Sequence, residues 1–265
     1  MSECAPIDFT RLREHLDHFA DRFNCFDFID LDPISVPHRF SKKQDIEIAG
    51  FFSAILAWGN RKTIISKARE IMTLMDDKPH DFIIHHSESE RKKMIGFKHR
   101  TFQSTDLLYL IEFLQRYYRS HESLEHAFYA PESVTYHQKN ALTQFYDLVF
   151  NNEFAPSRTK KHIASPHKNS ACKRLNMFLR WMVRKDDRKV DFGLWDSIPM
   201  SGLMIPLDVH VEKHARNFGL LTRRSLDWSA VEEITSHLRT MRPSDPVYYD
   251  FALFGLGTLR DDIVL

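Results

Sequence analysis

DIEIAGFFSAILAW, residues 45–58, decides the fold class. Ile46, Ile48, Phe51, Phe52, Ile55, Leu56 and Trp58 place apolar side chains on nearly every face of the helix this run would form. A helix that is apolar all round belongs in the middle of a core. The stretches on either side are amphipathic helices that could wrap it. NRKTIISKAREIMTLMDD (60–77) sets Ile64, Ile65, Ala68, Ile71 and Met72 at helical spacing with Arg61, Lys62, Lys67 and Arg69 outward, and Pro79 is expected to close that unit. DLLYLIEFLQRYYRS (106–120) repeats the pattern, with Ser104 or Asp106 as its cap. Residues 122–131 and 137–150 read as two more helices parted by Pro131. Further on, ACKRLNMFLRWMVR (171–184) carries an apolar stripe of Leu175, Phe178, Leu179 and Met182. A loop with two prolines leads from it to DVHVEKHARNFG (208–219), a helix stopped by Gly219. Asp227 is placed to cap WSAVEEITSHLRTM, and Ser244-Asp245-Pro246 opens the last helix, VYYDFALFGLG. Eight glycines leave little material for tight hairpins, and no phosphate-loop or dinucleotide fingerprint is present. The expectation is an all-α chain of two helical lobes with a central cleft: residues 1–44 as an N-terminal helical wrap, and 45–265 as the main helical domain.

Composition excludes several classes. The 37 Lys+Arg balance 36 Asp+Glu, and 43% of the 265 residues are hydrophobic, which excludes a disordered chain. No apolar stretch reaches the length of a membrane span, and MSECAPIDFTRLREH turns polar too early for a signal peptide. The chain is therefore expected to be cytoplasmic, with no membrane partner. Cys4, Cys25 and Cys172 are too few and scattered for a disulfide framework or a four-thiolate metal site.

Charge is distributed unevenly. Pro156–Arg188 holds ten Lys/Arg against Asp186 and Asp187, a local cluster of the kind that contacts nucleic acid. Within it a polar loop feeds the helix that begins at Lys173. Asn169, Ser170 and the open N–H groups of that helix start could hold a phosphate, with Lys160, Lys161, Lys168 and Arg174 supplying positive charge. A lysine in such a turn, favoured as the free amine by the helix end and by Arg174, can attack C1′ of a deoxyribonucleotide and form a Schiff base. Asp208, at the edge of a later helix, would orient it and stabilise the cationic sugar. The plainer readings stand beside these: a lysine on an amphipathic helix is usually solvated, and an aspartate before a helix is usually its cap. His210 and His214 share a metal-ligand spacing but lack the glutamate of the zincin pattern, so no metal is assigned. Trp58, Trp181 and Trp195 are candidates for base stacking. Trp181 fits the core better, and Trp195, in a loop, fits a base pocket best.

At these residues the chain resembles the helix-hairpin-helix DNA glycosylase superfamily. IPLDVHVEKHARNFGLL (205–221) is similar to the segment in which a catalytic aspartate precedes an arginine-bearing helix. AGFFSAILAWGNRKTIISKA (49–68) resembles the early helix of endonuclease III-type enzymes, PHKNSACKRLNMFLRWMVR (166–184) sits where the hairpin and its lysine belong, and DPVYYDFALFGLG (245–257) is similar to their late helix. The usual Leu-Pro-Gly-Val-Gly hairpin is absent, Gly59-Asn60 stands where a glutamine is usual, and 35 positions separate Lys173 from Asp208. That wide spacing looks more like the archaeal GO glycosylases, which act on 8-oxoguanine. No cysteine follows Gly257, so the iron–sulfur cluster of part of the superfamily is not expected, nor any other cofactor.

The resemblance implies a DNA repair N-glycosylase and abasic-site lyase working on damaged duplex DNA, with an oxidised purine as candidate base. Lys173 would be the nucleophile, Asp208 its partner, and Lys168 the first substitute nucleophile. Two other classes stay open: a non-catalytic nucleic-acid-binding module on the same fold, and a helical protein-interaction scaffold.

Overall fold

The computed structural model describes residues 8–129 and 135–258; Cys4 and Pro131 lie outside the described residues. Among those described, regular structure is almost wholly helical. The chain runs α1 (Phe9–Phe23), α2 (Phe26–Asp30), α3 (Lys43–Ile55), α4 (Arg61–Leu74), α5 (Pro79–His85), α6 (Glu88–Lys92) and α7 (Ser104–Tyr118). It continues with α8 (Gln138–Phe150), α9 (Lys173–Val183), α10 (Val209–Asn217), α11 (Trp228–Met241) and α12 (Asp250–Thr258), with short 3-10 turns between. A two-residue antiparallel pair, β1 (Lys98–His99) with β2 (Phe102–Gln103), precedes α7. The fold is all-α.

The central helix is the one expected. Every residue of α3 from Ile46 to Ile55 is buried. That includes Glu47, whose carboxylate accepts from the Tyr118 and Ser123 hydroxyls, Leu124 N and Trp195 Nε1. Four donors make a buried carboxylate tolerable where an unpaired one would cost several kcal/mol, and they tie α7 and two loops to α3. Helices α4, α5 and α9 pack against α3, α5 meets α7, and α1 and α10 pack on α12. A Cβ on Gly255 would run into the Phe23 ring and one on Gly257 into His210, so α12 needs glycine where α1 and α10 approach it.

Several boundaries differ from the sequence reading. Pro79 opens α5 as its first residue rather than closing the unit before it, which is where a missing N–H costs nothing. Only a 3-10 turn, Leu124–Ala127, forms in 122–129. The cap of α7 is a box in which the Gln103 N–H donates to Asp106. Pro246 begins a 3-10 turn that runs into α12, and Asp245 binds Arg184 instead of capping. The described part of the N-terminal segment, residues 8–44, also contributes to the interior: Ile34 and Val36 are fully buried, and Phe28, Asp32 and Pro33 line a cavity.

Candidate active site

Lys173 is the first residue of α9 and Asp208 the N-cap of α10. The turn into α9 uses two left-handed residues, Asn169 (φ +62°) and Cys172 (φ +50°). Asn visits that region readily, whereas Cys does so against a cost of about 1–2 kcal/mol. Burial of the Cys172 side chain and its contacts to Ser170 hold it there. One turn into α9, fully buried Asn176 donates to the carbonyls of Ala171 and Ile205 and accepts from Gln138. Gln138 in turn accepts Met204 N, and Ile205 N donates to Thr235. This network pins the strand-like stretch 203–207 to α9 and so carries Asp208 to Lys173.

The lysine Nζ lies 3.7 Å from Asp208 Oδ2. The two form a close pair across the start of α9 and the start of α10. The side chains are 31% and 13% exposed, so the pair is reachable from solvent. The other oxygen, Oδ1, accepts the N–H groups of His210 and Val211. The cap reading of Asp208 is therefore correct, and it leaves Oδ2 for the lysine.

Both residues line a cavity of about 370 Å³, inside the range of about 300–1,000 Å³ typical of small-ligand sites. Its apolar walls are Phe28, Pro33, Ala57, Trp58, Ile64, Met177, Val209 and Phe254; its polar groups are Asp32, Arg61, Lys173, Arg180, Asp208, His210 and Asp250. Three carboxylates, Asp32, Asp208 and Asp250, line it. Arg180 pairs with Asp191 and Asp250, and Arg184 with Asp186, Asp191 and Asp245, so two guanidinium groups face four acids. Burial raises the Asp32 carboxyl above its ordinary value against the pull of its hydrogen bond from Ile34 N. Burial likewise pushes Asp250 up to about 7 despite Arg180, with Asp208 adding to the rise. The Arg180 guanidinium is disfavoured by burial, but Asp191 and Asp250 more than offset this and hold it charged.

The remaining expected site residues divide. Trp195 is a core residue, not a base-pocket wall: it is 1% exposed, packs on Phe128 and Phe178, and its indole N–H is committed to Glu47. Trp58 takes the cavity position, with the guanidinium of Arg174 over its ring at 5.0 Å. Trp181 is fully buried, as read. Arg174 is not a phosphate clamp, because it donates to the carbonyls of Ile55 and Lys161, and burial lowers it to about 10. Ser170 accepts Cys172 N, and Lys168 donates to the Tyr146 hydroxyl with its charge over that ring. Lys160, Lys161, Lys168 and Asn169 are exposed. Arg158, Arg180 and Arg184 belong to internal ion pairs. His210 lines the cavity, and among the described residues no three His, Cys, Asp or Glu are grouped to hold a metal.

Sequence reasoning missed Asp32, Arg61, Arg180 and Asp250 as cavity residues. Asp250 left a signal: it is the one acid inside VYYDFALFGLG, and an acid within an apolar helix is buried with a partner or a purpose. Arg180 is buried on α9, where its acids come from the loop just after the helix (Asp191) and from α12 (Asp250).

The family model described as "Protein of unknown function (DUF2400)" matches residues 32–259. No curated protein matches the chain, and no solved structure does.

Proposed function

The chain belongs to the DUF2400 family, and we propose that it is a DNA N-glycosylase with abasic-site lyase activity. The observation that carries this reading is the Lys173–Asp208 pair, 3.7 Å apart on the wall of an open cavity. An extruded nucleotide would place its base among Phe28, Trp58 and Phe254 and its sugar beside the pair. The amine of Lys173 attacks C1′ as the base leaves, Asp208 stabilises the positive charge that develops on the sugar, and the resulting Schiff base permits β-elimination of the strand. The structural place of Asp208 suits that role: its cap bonds fix the carboxylate in advance, so no reorganisation is needed during the reaction.

Other features support a duplex partner. Val209 and Leu31, each next to a cavity acid, are 71% and 67% exposed, and apolar side chains at such a mouth would fill the stack vacated by a base. Arg61, on the cavity wall, and exposed Lys62 stand at the start of α4, where a helix N-terminus and two cations favour phosphate. Lys160, Lys161 and Lys168 add positive charge on the polar segment before α9. The helices on either side of the cavity would then be the two lobes of a glycosylase, and an oxidised purine the candidate base.

Borohydride trapping on an abasic-site duplex tests the reading. The wild-type chain is expected to leave a covalent adduct, and Lys173→Ala none, with its thermal midpoint nearly unchanged because the lysine is part-exposed. A wild-type chain that binds the duplex but leaves no adduct would make it a non-catalytic binding module.

A further inference from the structure

Asp250 presents a chemical oddity that the Lys173–Asp208 pair does not explain. It lies at the start of α12, is 4% exposed, and lines the same cavity. Oδ2 accepts from Arg180 Nη1. Oδ1 is buried with no hydrogen-bond partner among the described residues. A buried carboxylate oxygen without a partner is costly unless a ligand or a proton occupies it. The charged groups around Asp250 are mixed: Lys173 and Arg180 from α9, Asp191 from the loop after it and Asp208 at the start of α10 act on it, His210 and Asp32 (between α2 and α3) line the same cavity, and Arg184, just past α9, lies over the neighbouring Phe251 ring. From α1, Asp17 and Asp21 reach the neighbouring tyrosines, Tyr249 and Tyr248.

We propose that Asp250 is the acid that protonates the departing base, its Oδ1 delivering the proton while Arg180 holds the carboxylate left behind. This rests on the excision reading above. As the C1′–N bond breaks, its electron pair passes to the base, and a base nitrogen takes the proton from Oδ1. The lone pair of Lys173 forms the new bond to C1′, and the proton its nitrogen then sheds passes to Asp208. Two carboxyls in one cavity thus take opposite roles. Asp208, fixed by two backbone N–H donors beside the lysine, stabilises the positive charge on the sugar and takes the lysine's proton once the bond to C1′ has formed. Asp250, buried with one oxygen unpaired, is raised by burial to about 7 and so keeps a proton near neutrality, as a proton donor in such a pair must.

Asp250→Asn tests this, because the amide oxygen can keep the contact to Arg180 while no acidic proton remains. Single-turnover release is measured from duplexes carrying 8-oxoguanine, hypoxanthine or N7-methylguanine, alongside borohydride trapping on an abasic duplex, which has no base to protonate. Release of the two neutral purines is expected to fall by about 100-fold or more. N7-methylguanine, which leaves from a cationic nucleotide, and abasic trapping should be nearly unaffected. Wild-type release of the neutral purines should also decline as pH rises through about 7, where Asp250 loses its proton, and that decline should be missing from the variant. If the variant does not fold, the wild-type profile decides alone: a rate that is level or rising through this range overturns the role. Unchanged neutral-purine release in the variant, or an equal loss of release and trapping, makes Asp250 only a structural partner of Arg180. A wild-type chain that releases none of the three bases overturns the excision reading, and this role with it.

Discussion

Asp208 divides its carboxylate between two tasks. Oδ1 accepts His210 N and Val211 N at the start of α10, each at 2.9 Å, and Oδ2 faces the lysine. Asn caps a helix about as well as Asp, so Asp208→Asn separates the tasks. Its stability should change by only a few tenths of a kcal/mol, and its duplex affinity little, because a charge that acts on the transition state adds little in the ground state. Base release should drop by roughly 100-fold or more. Thermal melts, binding titrations and single-turnover rates on the same preparations check the three expectations, and a variant with full release reduces Asp208 to a cap. The cap was legible in the sequence because an aspartate stood before a periodic run. Spacing could not establish the pairing with Lys173, because the 34 residues between them could place the two anywhere; it was suggested by the chemistry of an amine with a carboxylate and by the family resemblance.

At the scale of the element, the site depends on how α9 holds the segment before α10. Asn176 spends its amide on the carbonyls of Ala171 and Ile205, at 3.1 and 3.3 Å, and its oxygen on Gln138. Asn176→Ala leaves two carbonyls and an amide without that partner, at a cost of about 1–3 kcal/mol. The loosened segment should also let Asp208 drift from Lys173. Chemical denaturation is expected to show the lost stability, and abasic trapping at a temperature where the variant is fully folded should be slower than wild type. Normal trapping there would mean that the pair is held by other contacts. Helices were the most legible part of the chain, since α3, α4, α7, α9, α10 and α11 all followed from apolar periodicity. The asparagine could not be read this way: on the sequence it is one polar residue among RLNMFLR, and its value comes entirely from backbone brought in from two other segments. The turn before α9 misled for a related reason, because Asn169 and Cys172 supply the positive φ values for which glycines would have been the visible sign.

For the whole molecule, near-neutral net charge hides a sorted distribution. Of the cations in 156–188, Arg158, Arg174, Arg180 and Arg184 bond internally, while Lys160, Lys161 and Lys168 remain at the surface. A count of charges along the chain could not make that division, because Asp106, Asp245 and Asp250, three of the acids that pair with Arg158, Arg180 and Arg184, lie far away in sequence. The same limit hid the cavity. Its lining is drawn from residues near 28–33, 57–64, 173–180, 206–210 and 250–254, and only packing brings these together. All-α architecture, the buried α3 and the lysine–aspartate candidates were legible; the cavity positions of Asp32 and Asp250 and the core position of Trp195 were not. The central claim is that Lys173 is the amine that meets the sugar. The most direct measurement is mass spectrometric mapping of the peptide that carries the borohydride-fixed deoxyribose remnant after reaction with an abasic duplex. The modification should lie on Lys173 and on no other lysine. A modification on Lys168 or at the N-terminal amine, with Lys173 unmodified, would contradict the account.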